Sequence, residues 1–126
     1  MRTTIVVGAG PAGLVSAYFR AINGDDVILI EKNEKAGKKL YITGKGRCNV
    51  TNDCDRETFL DNVVTNARFM RGAISRFPPS AIIDFLQKKV DLKTERGNRV
   101  FPTSDKAADV VEALKRLVSK KGVKLH

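Results

Sequence analysis

The chain has 126 residues, 42% of them hydrophobic, which is enough for one compact domain with a core but too short for a complete two-domain enzyme. No run of about 18 apolar residues occurs, which excludes a membrane-spanning helix. The net charge is +9, and the two cysteines predict free thiols in a cytoplasmic protein rather than a structural disulfide.

The first predicted element is a strand that ends in a glycine-rich turn, in the segment Ile5–Gly13. Gly8 permits a tight turn, Gly10 lets the backbone approach a pyrophosphate, and Gly13 lets the following helix pack closely on the strand. Pro11 suits the first helical turn because its φ is already helical and it has no N–H to leave unpaired. The segment therefore predicts a dinucleotide site at a helix N-terminus.

Apolar residues continue with helical spacing over Pro11–Asn23, and a short apolar run follows at Val27–Ile30. Such a run suits a central parallel strand buried on both faces, and its carboxyl end carries Glu31. Glu31 follows the first glycine at close to the roughly 20 residues typical of dinucleotide sites. A carboxylate there accepts hydrogen bonds from ribose hydroxyls and repels a 2′-phosphate, which favours FAD or NAD over NADP.

A second motif, Gly37–Asn52, is rich in glycine, lysine and polar side chains. Gly44 and Gly46 flank Lys45 and precede Arg47. We therefore expect a loop whose backbone N–H groups converge on an anion while the basic side chains neutralise it. The composition alone also fits a surface turn.

The middle of the chain is predicted to be helical scaffold. One long amphipathic helix is expected over Phe59–Phe77, and a second begins after Ser80 as its N-cap. Met70 and the phenylalanines of these two helices' apolar stripes, Phe59, Phe77 and Phe85, are expected in the core rather than at a ligand. Two short strands are expected at Leu92–Thr94 and Arg99–Phe101.

The last helix is expected at about Asp105–Lys121, with acid in its first turn and a surface pair between Glu112 and Arg116. Gly122–His126 then has the pattern of a further parallel strand. These elements predict an α/β fold: a Rossmann-like FAD/NAD(P)-binding domain over residues 1–126, with a parallel sheet flanked by helices and incomplete at the C-terminus.

Four motifs together resemble a known family. They are Gly-Ala-Gly-Pro-Ala-Gly, Glu31-Lys32 with Gly37-Lys38-Lys39-Leu40, the run Gly44–Asn52, and the segment Gly97–Pro102. On these motifs the sequence is similar, over essentially its whole length, to the bacterial BaiN-type flavoproteins, which are NAD(P)/FAD-dependent oxidoreductases. The Gly-Arg-Cys-Asn-x-Thr-Asn run is the most specific part of the likeness. The family commonly has three successive glycines where this chain has Gly44, Lys45 and Gly46.

The resemblance implies a glutathione-reductase-like FAD domain, with Glu31 on the adenosine ribose and the loop Lys39–Cys48 near the pyrophosphate and flavin. It also implies an N-terminal portion of a longer protein, because family members carry a substrate-side domain and a C-terminal segment that closes over the flavin. The candidate cofactor-binding residues are Gly8, Ala9, Gly10, Pro11, Ala12, Gly13, Glu31, Lys32, Lys39, Gly44, Gly46, Arg47, Cys48 and Asn49.

Side chains for other kinds of catalysis are few. His126 is the only histidine, and two cysteines with one distant histidine do not form a metal ligand set, so we expect no catalytic side chain and no metal. We expect an enzyme in which FAD takes a hydride from NADH or NADPH and passes it to an organic acceptor. The family suggests an unsaturated 3-oxo steroid as that acceptor.

Two alternatives remain open from the sequence. Cys48 and Cys54 allow a flavin-linked dithiol reductase, although five residues separate them where disulfide reductases have four. The other alternative is a non-enzymatic basic module that binds nucleic acid or protein. Because the aromatics are expected mostly on apolar helix faces, rather than exposed among the charges, we do not expect a nucleic-acid partner, and we expect no membrane partner.

Overall fold

A three-stranded parallel sheet is the centre of the first of two compact units, which comprises Met1–Cys48 and Lys106–His126. The computed structural model describes every residue of the chain, 1–126. The strands of this sheet, in spatial order, are β1 (Thr3–Val7), β2 (Asp26–Ile30) and β6 (Lys124–Leu125). The prediction of a central strand at Val27–Ile30 is confirmed, as is the prediction of a further parallel strand within Gly122–His126.

Two helices of this unit, α1 (Pro11–Ile22) and α5 (Ala107–Lys120), pack against each other. Leu14 and Ala17 of α1 are fully buried, as is Leu29 of β2, and α5 is amphipathic with a continuous buried stripe. Burial of each large apolar side chain stabilises the fold by roughly 1.5–3 kcal/mol. This layer of helices on a parallel sheet is the Rossmann-like α/β architecture that the sequence predicted.

The two faces of the sheet differ in burial. Val27 and Leu29 lie on the buried face, whereas Ile5, Val7 and Ile30 are 60%, 80% and 41% exposed. The expectation that the second strand is buried on both faces is therefore wrong for this chain, because the helices cover one face only.

The second unit comprises Asn49–Asp105 and contains three helices and an antiparallel sheet. Its elements in chain order are β3 (Thr51–Asn52), α2 (Arg56–Asp61), α3 (Ala67–Arg76), α4 (Pro79–Gln87), β4 (Leu92–Glu95) and β5 (Arg99–Pro102). Gly97 and Asn98 both have positive φ, 78° and 58°, and form the turn of the β4–β5 hairpin. The two short strands predicted here are confirmed.

The single long helix predicted over Phe59–Phe77 is wrong, because the chain breaks it into α2 and α3. Asn62 ends α2, and its side chain donates a hydrogen bond of 2.8 Å to the carbonyl of Thr58, one turn earlier. Asn66 then has left-handed backbone angles of φ 58° and ψ 46°, which asparagine tolerates but an α-helix does not. Apolar residues keep helical spacing across this break, so the sequence pattern does not predict it.

Two helices begin at residues other than the predicted ones. Helix α4 begins at Pro79 and not after Ser80, because Pro79 supplies a preset φ at the first helical position and places Ser80 inside the first turn. Helix α5 begins at Ala107, since Asp105 has a positive φ of 59°, which a helix cannot include. The acid in its first turn is Asp109.

The surface pair expected between Glu112 and Arg116 is replaced by another pair on the same helix. Lys115 Nζ lies 3.2 Å from Glu112 Oε1, an i,i+3 contact. Both i,i+3 and i,i+4 positions lie side by side on a helix, so the periodicity allowed either partner.

Helix α3 has one aromatic side chain on the surface. Phe69 is 79% exposed, whereas Ile74 of the same helix is buried. Ile74 is five positions after Phe69, which places the two on nearly opposite sides of α3 because a turn takes 3.6 residues. Phe69 is not part of the predicted apolar stripe, whereas Phe77, which is, has 36% of its surface exposed, and Met70 is partly buried.

Candidate cofactor-binding site

The turn between β1 and α1 has the backbone conformation that its glycines were expected to supply. Gly8 has φ 98°, and its N–H donates a 2.7 Å hydrogen bond to the carbonyl of Ile30 on β2. Gly10 is the N-cap of α1 and Pro11 its first residue. Because glycine has no capping side chain, the N–H groups of the first helical turn stay available to an anion.

The last two glycines of the turn have different steric surroundings. A β-carbon added to Gly13 would lie 1.7 Å from the carbonyl oxygen of Gly8, so only glycine allows the helix to sit this close to the strand. A β-carbon added to Gly10 would meet no atom within 4 Å. Gly13 therefore serves packing within the chain, whereas the open space at Gly10 suits the close approach of a bound phosphate.

Glu31 is tied to the glycine turn. Its Oε2 accepts a 2.7 Å hydrogen bond from the backbone N–H of Ala9, and its Oε1 accepts hydrogen bonds from the side chain and backbone of Asn33 at 2.9 and 3.2 Å. The hydrogen bond from Ala9 is the largest cause that lowers the pKa of Glu31, so the carboxylate is ionised at neutral pH. Oε2 retains a further acceptor position, which suits a ribose hydroxyl.

Ala9 is held from both sides. It is fully buried, its N–H binds Glu31, and its carbonyl accepts a 2.7 Å hydrogen bond from the N–H of Gly37. Gly37 has φ 70°, and a β-carbon there would lie 3.0 Å from Val111 of α5. The sequence analysis assigns no structural role to Gly37 or to Asn33. An asparagine shortly after a strand is typical of a turn, and a glycine in a loop allows a positive φ.

The residues that follow Glu31 in the sequence line a surface cavity of about 430 Å³. Lys32, one of the predicted site residues, lines it. The other lining residues are Asn33, Glu34, Lys35 and Lys38. Three lysines and one glutamate give this cavity a positive charge, which suits a phosphorylated ligand. Pro11, Ala12 and Lys39 are also exposed, so they are accessible to a ligand.

The predicted glycine loop is more regular than expected. Leu40–Gly46 forms 3₁₀ turns interrupted by a kink, where Gly44, Lys45 and Gly46 all have positive φ, of 55°, 56° and 87°. The backbone N–H groups of Arg47 and Cys48 donate to carbonyls of the same loop, so those two are not free to bind an anion. The left-handed angles of Lys45 explain why glycine suits its position.

The last three predicted site residues, Arg47, Cys48 and Asn49, differ in solvent exposure. Arg47 is partly exposed, whereas Cys48 is fully buried, and this burial raises the pKa of its thiol. The Cys48 side chain therefore packs in the core. Asn49 is exposed and begins the second unit of the chain.

The second unit has a cleft of about 480 Å³ that Cys54 lines together with Phe59 and three asparagines. The asparagines are Asn52, Asn62 and Asn98. Burial is the largest cause that raises the pKa of Cys54, and neighbouring Asp55 and Asp53 add to it. A raised pKa leaves little thiolate at neutral pH, so neither cysteine has the low pKa typical of a redox nucleophile.

The residues around the first turn fit FAD. The open backbone at Gly10, the uncapped helix N-terminus and the carboxylate of Glu31 match the needs of a pyrophosphate and a ribose. When bound, FAD supplies hydride-transfer chemistry at its flavin ring. No three His, Cys, Asp or Glu side chains come together as a metal site, and no helix is long and apolar enough to cross a membrane.

Comparison with known proteins places residues 2–126 in the HI0933-like protein Rossmann domain. Among curated proteins, the chain is 31% identical to the 3-dehydro-bile acid delta(4,6)-reductase of Clostridium scindens, covering 96% of the chain and 30% of that protein. It is also 31% identical to the ribosomal RNA dihydrouridine synthase of Escherichia coli, covering 87% of the chain and 27% of that protein.

The chain thus spans less than a third of the length of these two relatives. Among solved structures it is similar to Thermovibrio ammonificans THI4, with a TM-score of 0.60 and 16% identity over 99% of this chain and 37% of that one. This likeness supports the Rossmann-like fold.

Proposed function

Because the chain belongs to the HI0933-like Rossmann-domain family, we propose that it binds FAD for an oxidoreductase that takes a hydride from NADH or NADPH and delivers it to an organic acceptor. The observation that carries this proposal is the Gly8–Gly13 turn, held against Glu31 by the Ala9 N–H. A cytoplasmic location, where reduced nicotinamides are available, fits this activity.

The chain's residues contribute binding and orientation rather than acid–base chemistry. The open backbone at Gly10 and the N-terminus of α1 receive the pyrophosphate, and the lysines that line the cavity after Glu31 add positive charge to the same unit of the chain. Glu31 accepts hydrogen bonds from the adenosine ribose and disfavours a 2′-phosphate there. Lys39, Gly44, Gly46, Arg47, Cys48 and Asn49 remain predicted contacts near the pyrophosphate and flavin.

We propose that the acceptor has a carbon–carbon double bond conjugated to a carbonyl. The names of both relatives describe saturation of a double bond, in a 3-dehydro-bile acid and in uridine of ribosomal RNA. In such a reaction one carbon gains a hydride and the other a proton, while the nicotinamide is oxidised by two electrons. An unsaturated 3-oxo steroid is one candidate acceptor, and a uracil base is the other, favoured by the net charge of +9.

The dithiol alternative is less favoured by the chemistry of the cysteines. The pKa of each thiol is raised, and Cys48 is fully buried, so neither is prepared to attack an oxidised flavin or a disulfide.

The test is reconstitution of the purified chain with FAD. Flavin fluorescence anisotropy, which rises when FAD is immobilised on the protein, reports the affinity. Gly10→Ala is expected to weaken FAD binding at least tenfold, because its methyl group fills the space for the pyrophosphate while the fold, with φ −76° at this residue, accommodates alanine. Ser119→Ala, on the exposed surface of α5, is the control and should bind FAD as the wild type does.

The oxidoreductase step is tested on the same FAD complex. Anaerobic NADH or NADPH should bleach the visible flavin absorbance, and an enone substrate should restore it. Equal FAD affinity of the wild type and Gly10→Ala would contradict the proposed cofactor site. Bound flavin that no reduced nicotinamide bleaches would contradict the proposed reductant.

A further inference from the structure

Helix α3 presents a solvent-exposed face that combines arginine with an aromatic ring. We call this the α3 face and define it by Arg68, Phe69, Gly72 and Arg76. All four residues are exposed, and Phe69 is 79% exposed. Their spacing of one, three and four residues places them on one side of the helix, opposite the buried Ile74. The face is therefore an arginine–aromatic surface that the packing of the chain does not use.

The charge of this face is uncompensated along the sequence. Residues 62–83 contain three arginines, Arg68, Arg71 and Arg76, and no aspartate or glutamate. The neighbouring helix α2 contributes Glu57, but Glu57 is paired with Arg56 at 2.8 Å. Asp61, at the end of α2, is the remaining carboxylate of that helix. A polyanion is the partner that this balance of charge favours.

Gly72 has no packing reason to be glycine. It lies in the middle of α3, where glycine is less favourable than alanine, and a β-carbon added there would meet no atom within 4 Å. Its effect is to leave the helix backbone open between Phe69 and Arg76. Such an opening allows another chain to approach closely.

We propose that the α3 face binds single-stranded RNA. Phe69 stacks on an unpaired base, Arg68 and Arg76 bind phosphates about 12 Å apart along the helix, and Gly72 gives room for the sugar–phosphate backbone. A protein partner fits less well, because it would have to desolvate Arg68 and Arg76 beside Phe69. Phe69 is an aromatic side chain exposed among basic residues, which the sequence analysis does not expect in this chain.

This inference deepens the proposed function, because RNA is the polymer that would carry a reducible uracil. Only this link to a uracil acceptor rests on the proposed function. The RNA contact itself requires no hydride transfer. It is therefore measured separately, with FAD content recorded from the visible absorbance of the same samples. Loss of flavin with RNA binding retained contradicts the oxidoreductase proposal, and the reverse result contradicts the α3 face.

The probe is a fluorescein-labelled single-stranded oligouridylate, and the readout is fluorescence anisotropy of the full chain at several salt concentrations. Phe69→Ala is expected to weaken binding about tenfold, and Phe69→Leu nearly as much, because leucine is apolar but cannot stack. The double variant Arg68→Ala/Arg76→Ala should reduce the slope of log affinity against log salt by about 1.4, since two phosphate contacts are lost. Gly72→Ala should raise the melting temperature yet weaken RNA binding.

Arg116→Ala is the matched control, because Arg116 is an exposed helical arginine of the other unit. It should change the affinity less than twofold. Circular dichroism checks that Phe69→Ala keeps its melting temperature, as expected for an exposed side chain. The proposal is overturned if Phe69→Ala binds as the wild type does, if Arg116→Ala weakens binding as much as the α3 variants, or if duplex RNA or polyglutamate competes as well as the single strand.

Discussion

The backbone N–H of Ala9 donates a 2.7 Å hydrogen bond to Oε2 of Glu31, which joins the glycine turn after β1 to the carboxyl end of β2. The bond gives Glu31 two roles, since the residue expected to bind ribose also holds the turn expected to bind pyrophosphate. A change at Glu31 should therefore affect the fold as well as cofactor affinity.

Glu31→Gln is expected to lower the melting temperature at neutral pH, because a neutral amide oxygen accepts the Ala9 hydrogen bond less strongly than a carboxylate does. This hydrogen bond is the first cause of the lowered pKa of Glu31, whose ordinary value is 4.5. A lowered folded-state pKa stabilises the protein above the unfolded pKa, and the contribution is lost as pH falls through the folded pKa. The difference in melting temperature between wild type and Glu31→Gln should therefore shrink on acidification below pH 4.5.

Thermal unfolding followed by circular dichroism from neutral to acid pH measures this difference. Glu34→Gln, in the same loop and exposed, is the control and should melt close to wild type throughout. A difference for Glu31→Gln that stays constant with pH would show that charge at Glu31 is not responsible.

Gly13→Ala is expected to destabilise the chain by about 3 kcal/mol or more, because its methyl group would lie 1.7 Å from the carbonyl oxygen of Gly8 and force α1 away from β1. Gly10→Ala, three residues earlier, has open space and should cost less than about 1 kcal/mol. Urea unfolding of the two variants measures both values. Similar values for the two would contradict the assignment of Gly13 to packing and Gly10 to ligand approach.

The first strand, the glycine turn and Glu31 were predictable because each depends on residues close in sequence, and a positive φ or a close approach demands glycine. The division between α2 and α3 was not, because an apolar period runs through the break and only the left-handed angles of Asn66 interrupt the helix. The anchoring of Ala9 by Gly37 depends on a distant packing contact with Val111, which local pattern does not encode.

Lys45→Gly is expected to stabilise the chain by up to about 1.6 kcal/mol. Lys45 has φ 56° and ψ 42°, a left-handed conformation that costs a residue with a side chain about 1–2 kcal/mol. Glycine removes this cost but gains freedom in the unfolded chain, which offsets about 0.4–1 kcal/mol of the benefit. The melting temperature should rise, and the third glycine should restore the pattern common in the family.

Lys88→Gly is the matched control for Lys45→Gly. Lys88 has right-handed angles of φ −69° and ψ −15°, which lysine adopts without strain. Glycine there should lower the melting temperature through unfolded-state entropy alone. If both substitutions shift the melting temperature in the same direction, the left-handed strain at Lys45 is not what sets its stability.

The two thiols should differ in reactivity in the folded chain. Cys54 is partly exposed in its cleft and Cys48 is fully buried, so a thiol reagent should modify Cys54 alone until the protein unfolds. Because burial raises the pKa of Cys54 above its ordinary value of 9.0, its modification should be slow at neutral pH and accelerate as pH rises toward and past that value. Cys54→Ser should abolish the reaction of the native protein, and denaturant should then expose one reactive thiol, Cys48. Rapid modification of Cys54 at neutral pH would instead indicate a stabilised thiolate and would support the dithiol alternative.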